Sequence, residues 1–217
     1  KAFTEKSGLK TYLLKGVLAS KKGKMKAAYF QPLMQLEVVA YHKNKGTMES
    51  IREVRVNYHY QSLHTNITKN AMTLFLAEML ANSIFEEEEN QELFQFIEAS
   101  LQWLDTHDEI SNFHLYFLLR LTKYFGFYPQ RDEADAPYFD LEAGEFVHST
   151  TLHPMLYGEN LNYFKAFVGI KFDELHSVKM KKVSRQELLK SLILYYELHL
   201  QGFRKPKSLA VLNEVFS

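Results

Sequence analysis

Apolar and polar residues change rhythm once along the chain, near residue 60. Before that point apolar residues alternate with polar or charged ones over short stretches, as they do when successive side chains point to opposite faces of a strand. Such stretches run from Leu9 to Leu14, from Leu33 to Tyr41 and from Met48 to Tyr60, the last mixing Ile51, Val54 and Val56 with Arg52, Glu53 and Arg55. Ala2-Phe3-Thr4-Glu5 reads as the end of a strand already under way at Lys1, so preceding residues are expected to be missing. His42-Lys43-Asn44-Lys45-Gly46 carries the Asn and Gly that suit a hairpin turn. Three or four short strands with tight turns predict a small, incomplete β-barrel.

From Asn66 the spacing becomes helical. Ala71, Leu74, Phe75, Ala77, Glu78 and Leu80 predict a first helix, capped by Asn66 or Thr68 and running into the acidic block Glu86 to Glu89. A second helix is predicted over Gln91 to Leu104 with Asn90 as cap, and a third over Ser111 to Phe125, stopped by Gly126 and Pro129. The aromatic residues at these spacings read as core. Helical patterns return at Leu161 to Val168, at Ser184 to Leu200 and at Ser208 to Phe216. Ser184-Arg185-Gln186-Glu187 has the form of a capping box, in which the serine caps the first amides and the glutamate reaches back. Residues 129 to 160 are the least regular, with a small hairpin expected around Gly144.

The 217 residues, 46% of them hydrophobic, suffice to bury a core in one large domain or in two smaller ones. No apolar run approaches membrane-spanning length and no signal segment opens the sequence, so a cytoplasmic protein without a membrane partner is expected. The absence of cysteine removes disulfides, thiolate metal sites and thiol nucleophiles together. A net charge of zero conceals a division: residues 1–60 hold 12 Lys+Arg and 4 Asp+Glu, a net of +8, and the remainder carries −8. Lys21, Lys22, Lys24 and Lys26 crowd around Gly23. Like charges so close repel unless an anion offsets them, and a nucleic-acid backbone is the obvious polyanion.

Candidate chemistry changes this picture little. The sequence has no phosphate-binding loop, dinucleotide fingerprint, nucleophile elbow or H-E-x-x-H motif. Ser149, Thr150 and Thr151 beside His148 and His153 lack triad spacing, and the two histidines match no common metal-ligand pattern. Consecutive glutamates at 86–89 point in different directions on a helix and read as solvated. Binding rather than catalysis is expected.

Several segments, in order and spacing, resemble the RecO family of bacterial recombination mediators. They are Thr4-Glu5-Lys6-Ser7-Gly8, Lys15-Gly16 with the lysine loop, Gln31-Pro32-Leu33, Glu78, Phe117-Leu118-Leu119-Arg120-Leu121 with Gly126 and Pro129, and Lys205-Pro206-Lys207-Ser208 after Leu198-His199-Leu200. The resemblance implies an α+β fold: an N-terminal OB-fold, a five-stranded β-barrel that would lack its first part here, over residues 1–60, then a helical domain over 61–217 with an irregular insertion at about 129–160. It implies binding of single- and double-stranded DNA and annealing of complementary strands. It also implies cooperation with RecR in loading RecA onto strands coated by single-strand-binding protein, whose acidic C-terminal tail is recognised. Many relatives hold a four-cysteine zinc module in the insertion. This sequence has none, so no zinc or other cofactor is expected and the hairpin around Gly144 would hold by packing alone.

On this reading Lys10, Lys15, Lys21, Lys22, Lys24, Lys26, Lys43, Lys45, Arg52 and Arg55 are the candidate phosphate contacts, which position a strand without reading its sequence. Tyr12, Tyr29 and Phe30 are candidates either for stacking on bases or for the core. Arg120, Lys123 and Arg131 are candidates for the edge of the partner-tail groove or simple surface cations. An RNA-binding OB protein or an interaction scaffold is the alternative.

Overall fold

The computed structural model describes residues 1–14, 26–43, 48–130 and 135–216. They form two compact units, Lys1–Thr106 and His107–Ser217. Among them no helix is long and apolar enough to cross a membrane.

The first unit opens with β1 (Ala2–Thr4) and β2 (Gly8–Lys10), an antiparallel pair. A second sheet holds β3 (Tyr12–Leu13), β4 (Leu36–Tyr41) and β5 (Glu49–Val56) in the order β3-β5-β4, with β3 parallel and β4 antiparallel to β5. No closed barrel forms among the described residues. Each expected strand is shorter than its sequence pattern. The run from Leu9 to Leu14 breaks at Thr11, whose carbonyl accepts the Glu49 amide at 2.8 Å. The run from Leu33 starts only at Leu36, because Leu33 has a φ of 58°, outside the strand region, and its carbonyl is held by the Tyr60 hydroxyl at 3.1 Å. The run from Met48 ends at Val56, beyond which the Asn57 amide donates to Gln35 O at 2.9 Å.

Helix α1 (Ile67–Ser83) starts as expected: Asn66 Oδ1 accepts the amides of Thr68 and Lys69 at 2.9 and 3.1 Å. It stops before the acidic block instead of entering it, since the segment after Ser83 is extended and Glu86 O takes the Leu9 amide at 3.1 Å. Helix α2 (Gln91–Thr106) begins beside Asn90, whose Oδ1 accepts the Leu93 amide at 3.0 Å. The two helices bury Met72, Phe75, Leu76, Met79, Leu93, Leu101 and Leu104, each such side chain contributing about 1.5–3 kcal/mol.

One polar knot joins the end of the strands to these helices. Asp105 accepts the amides of Gln61 at 2.9 Å and of Ser62 and Leu63 at 2.8 Å each, and the Ser62 hydroxyl at 3.2 Å. The buried Lys69 ammonium donates to Ser62 Oγ and to Asp105 O, both at 2.7 Å. Burial by itself would raise the Asp105 pKa, but the bonds from Gln61, Ser62 and Leu63 outweigh it and hold the carboxyl below its ordinary value.

The second unit is built around α3 (Phe113–Leu121), eight of whose nine residues are buried, the mark of a helix covered on every side. Its helix passes into a 3-10 turn at Thr122–Phe125 and ends at Gly126, whose φ of 83° needs no Cβ. Helices α4 (Gly158–Gly169) and α5 (Lys182–His199) pack on α3 and on each other. The Tyr196 and Tyr195 hydroxyls donate to Leu118 O at 2.7 Å and Phe127 O at 2.6 Å. The short α6 (Leu209–Val215) inserts Leu212. The expected capping box does not form, because α5 begins at Lys182 and Ser184 lies within it. Ser184 Oγ donates instead to Glu159 Oε2 and Glu187 Oε2 accepts from Asn160, both at 3.1 Å, so the pair serves the α4–α5 contact.

The insertion is more regular than its sequence. Around Gly144, at a φ of 74°, β6 (Tyr138–Asp140) pairs with β7 (Glu145–Val147), and β8 (Met155–Tyr157) completes a sheet in the order β7-β6-β8. It is not held by packing alone. Buried Asp140 accepts the Glu142 and Ala143 amides, the Thr151 hydroxyl and His153 Nδ1, each at 2.9 Å, and His199 Nε2 donates to Leu141 O at 2.9 Å.

Candidate nucleic-acid interface and a cation-lined pocket

In the β3-β5-β4 sheet, the register sorts side chains between two faces. Residues directly opposite on neighbouring strands share a face. Val38 and Val54 pair on the covered side, while Glu37 with Arg55, Val39 with Glu53, and Tyr41 with Ser50 pair on the open side. The register shifts between Val39 and Ala40, leaving Arg52 as the extra residue of a bulge on β5, exposed and outside the pairing. Parallel pairing sets Leu13 beside Ser50, so Leu13, Ser50 and Tyr41 form one row across three strands. Leu13 is 42% and Tyr41 75% exposed.

On the covered side at the same end, the Tyr12 hydroxyl and His42 Nε2 are hydrogen-bonded at 2.8 Å. Burial, and then the charge of Glu49, push the Tyr12 pKa up. The buried Glu49 carboxylate accepts the Lys43 amide at 2.8 Å, fixing the backbone where the chain leaves β4.

Of the candidate phosphate contacts, Lys26, Lys43, Arg52 and Arg55 are exposed. Lys10 is not directed outward: its side chain is 13% exposed and its ammonium lies 3.3 Å from Glu87 Oε2. The acidic block thus lies along the N-terminal hairpin, and a Cβ on Gly8 would stand 2.2 Å from Glu88 O. Lys15, Lys21, Lys22, Lys24, Lys45 and Arg131 lie outside the described residues. Among the stacking candidates, Tyr12 is half-buried on the covered side and engaged through its hydroxyl, and Tyr29 and Phe30 sit half-buried in a 3-10 turn, Ala27–Phe30. Sequence reading missed Tyr41. The alternation of Glu37, Val39 and Tyr41 was the available signal, but it does not say which face the rest of the molecule covers.

In the second unit Arg120 and Lys123 are brought together. With Gly126, Tyr128 and Gln130 they line a depression of about 360 Å³. The Arg120 guanidinium lies over the Tyr128 ring, 5.5 Å from its centroid, and the Tyr128 hydroxyl is anchored on Val168 O at 2.9 Å. Two cations beside an aromatic wall, with no side chain at Gly126, suit an anionic group attached to an apolar one. Elsewhere, Thr151 and His153 both turn to Asp140, so the hydroxyl donates to the carboxylate rather than to the imidazole. No group of three or more potential metal ligands lies together among the described residues.

Comparison with known proteins accounts for the whole chain. A family model described as Recombination protein O N terminal matches residues 1–60, and one described as Recombination protein O C terminal matches residues 64–210. The chain is 53% identical over 216 residues to the DNA repair protein RecO of Christiangramia forsetii, covering 100% of this chain and 90% of that protein. It is 48% identical over 219 residues to the DNA repair protein RecO of Flavobacterium johnsoniae, covering 100% and 91%, and 34% identical over 218 residues to that of Phocaeicola vulgatus, covering 99% and 90%. Matched over residues 1–60 and 64–210 by the two domain models and over its full length by relatives well above 30% identity, the chain belongs to the RecO family.

Proposed function

We propose that this chain is a non-enzymatic mediator of DNA repair and recombination. It binds single- and double-stranded DNA in the cytoplasm, anneals complementary strands, and with RecR helps load RecA on strands coated by single-strand-binding protein. The observation that carries the reading is the open sheet of the first unit with Lys43, Arg52 and Arg55 exposed, in a chain of the RecO family. Cations of this kind neutralise phosphates without reading bases, so binding is insensitive to sequence and falls steeply with salt.

An OB-fold is the architecture we assign to the first unit. Its β1–β2 pair, the continuation into β3, the parallel β3–β5 contact and the antiparallel β5–β4 contact follow the order of strands two to five in that Greek-key barrel. The depression at Arg120 and Lys123 is the seat for the acidic, apolar-ended tail of single-strand-binding protein: the cations meet its carboxylates and Tyr128 its apolar end.

The decisive experiment is strand annealing with and without cognate single-strand-binding protein, with competition by RNA of the same sequence. Annealing by the chain supports the reading, and a preference for RNA over single-stranded DNA would replace it with RNA binding. Replacing Lys21, Lys22 and Lys24 by Glu should abolish DNA binding at moderate salt. Arg120→Glu should weaken a labelled tail peptide while leaving DNA affinity as it was.

A further inference from the structure

We propose that the row Leu13–Ser50–Tyr41 is a stacking platform for unpaired bases, with Tyr41 as its principal residue. The inference rests on the DNA-binding reading above and adds to it a discrimination between single strands and duplex.

A tyrosine on a strand normally hides its ring against a neighbour, yet Tyr41 is 75% exposed, and Leu13 at the other end of the row is 42% exposed. Between them stands Ser50, whose short side chain leaves a shallow trough one strand wide. Met48, 58% exposed and two residues before Ser50, faces the same way by strand alternation. This end of the face is apolar and uncharged in its own row, while charges stand around it. Lys43 follows Tyr41 on the chain, Arg52 occupies the bulge next to the row, and Glu53, Glu37 and Arg55 lie in the two rows beyond.

That arrangement separates two kinds of contact, an aromatic and aliphatic floor and cations at its margin. A single-stranded nucleic acid offers the matching pair, flat π-faces on one side of the chain and phosphates on the other. A duplex keeps its base faces stacked inside and can use only the cations. The net +8 of the first 60 residues favours a polyanion over an apolar protein surface as the occupant.

The test measures binding of the full chain to an oligothymidylate, to the same oligonucleotide with abasic positions, and to a hairpin duplex, by fluorescence anisotropy over a salt series. Tyr41→Ala should lose roughly 5- to 150-fold on the oligothymidylate, the range for one stacked base. It should keep its affinity for the duplex and keep the slope of affinity against salt, because no phosphate contact has been removed. Tyr41→Phe should bind as the unsubstituted chain does. The abasic oligonucleotide should bind the unsubstituted chain as weakly as the intact one binds Tyr41→Ala, with no additional loss in the variant. Equal losses on single strand and duplex, or none on either, would overturn the platform while leaving DNA binding intact. Failure of the unsubstituted chain to bind any DNA would remove the reading beneath it.

Discussion

Removing the Asp105 carboxylate should cost the first unit a large part of its stability. That carboxylate accepts three backbone amides and one hydroxyl between 2.8 and 3.2 Å, at a residue 2% exposed. Bonds to a charged acceptor are worth about 1.5–3 kcal/mol each, and a buried donor left unpaired costs a similar amount. The amides at 61 and 62 can recover part of this from water, and the buried Leu63 amide cannot. Asp105→Ala should therefore destabilise by about 4 kcal/mol, and Asp105→Asn, which keeps one acceptor without the charge, by about 2 kcal/mol, against a total of about 5–15 kcal/mol for a domain.

The sole tryptophan, Trp103, lies two residues away on α2, so urea titrations followed by its fluorescence report this unit. The sign with pH follows from the lowered pKa. The contribution of Asp105 is fully present above the unfolded carboxylate value near 3.9 and is lost as pH falls through the lower folded value. The Asp105→Asn penalty should accordingly shrink below about pH 3.9. A variant within 0.5 kcal/mol of the unsubstituted chain at pH 7 would refute the reasoning.

Three further outcomes follow from other parts of the structure. Gly8→Ala combines a φ of +59° with a Cβ placed 2.2 Å from Glu88 O; it should destabilise by at least about 2 kcal/mol and accelerate amide exchange at Leu9, measured by hydrogen-exchange NMR. His114 is completely enclosed, and burial first and the Arg185 charge second push its pKa down to about 3. The second unit should then lose stability as pH falls from about 6.5 towards 3, by a few kcal/mol, and a flat circular-dichroism denaturation midpoint over that window would contradict this. Asp140→Ala should remove four hydrogen bonds to a buried carboxylate, whose exposed donors water serves only in part, and loosen the β6–β7 hairpin by about 2 kcal/mol, seen as rapid exchange of the Gly144 amide, which donates to Asp140 O at 2.9 Å.

The helices were legible from sequence because their signals are local. Asn66, Asn90 and Gly126 act on amides and carbonyls within four residues, and the helical spacing of Ala71, Phe75 and Leu80 marks α1 whatever covers it, although it does not fix the buried face: Leu74, in the same pattern, is 42% exposed, and Met72, Leu76 and Met79, outside it, are buried. Strand limits were not legible, since they depend on partners far along the chain: Glu49 draws on Thr11, and Tyr60 holds Leu33 in its positive φ. The Ser184–Glu187 motif was read as a cap because its local form is complete, yet Glu159 and Asn160, more than 20 residues earlier, take both side chains. The same limit applies to function. A count of lysines locates the basic segment, but that Lys10 answers to Glu87, and that Tyr41 rather than Tyr12 is bare, are facts of three-dimensional placement.

The bulge on β5 offers a practical opening. Because Arg52 takes no place in the ladder, a different side chain there disturbs neither the alternation that buries Val54 nor the register of the row at Ser50. The sequence has no cysteine of its own, so Arg52→Cys would give a uniquely addressable thiol for a fluorophore, positioned to sense an arriving strand from beside its path.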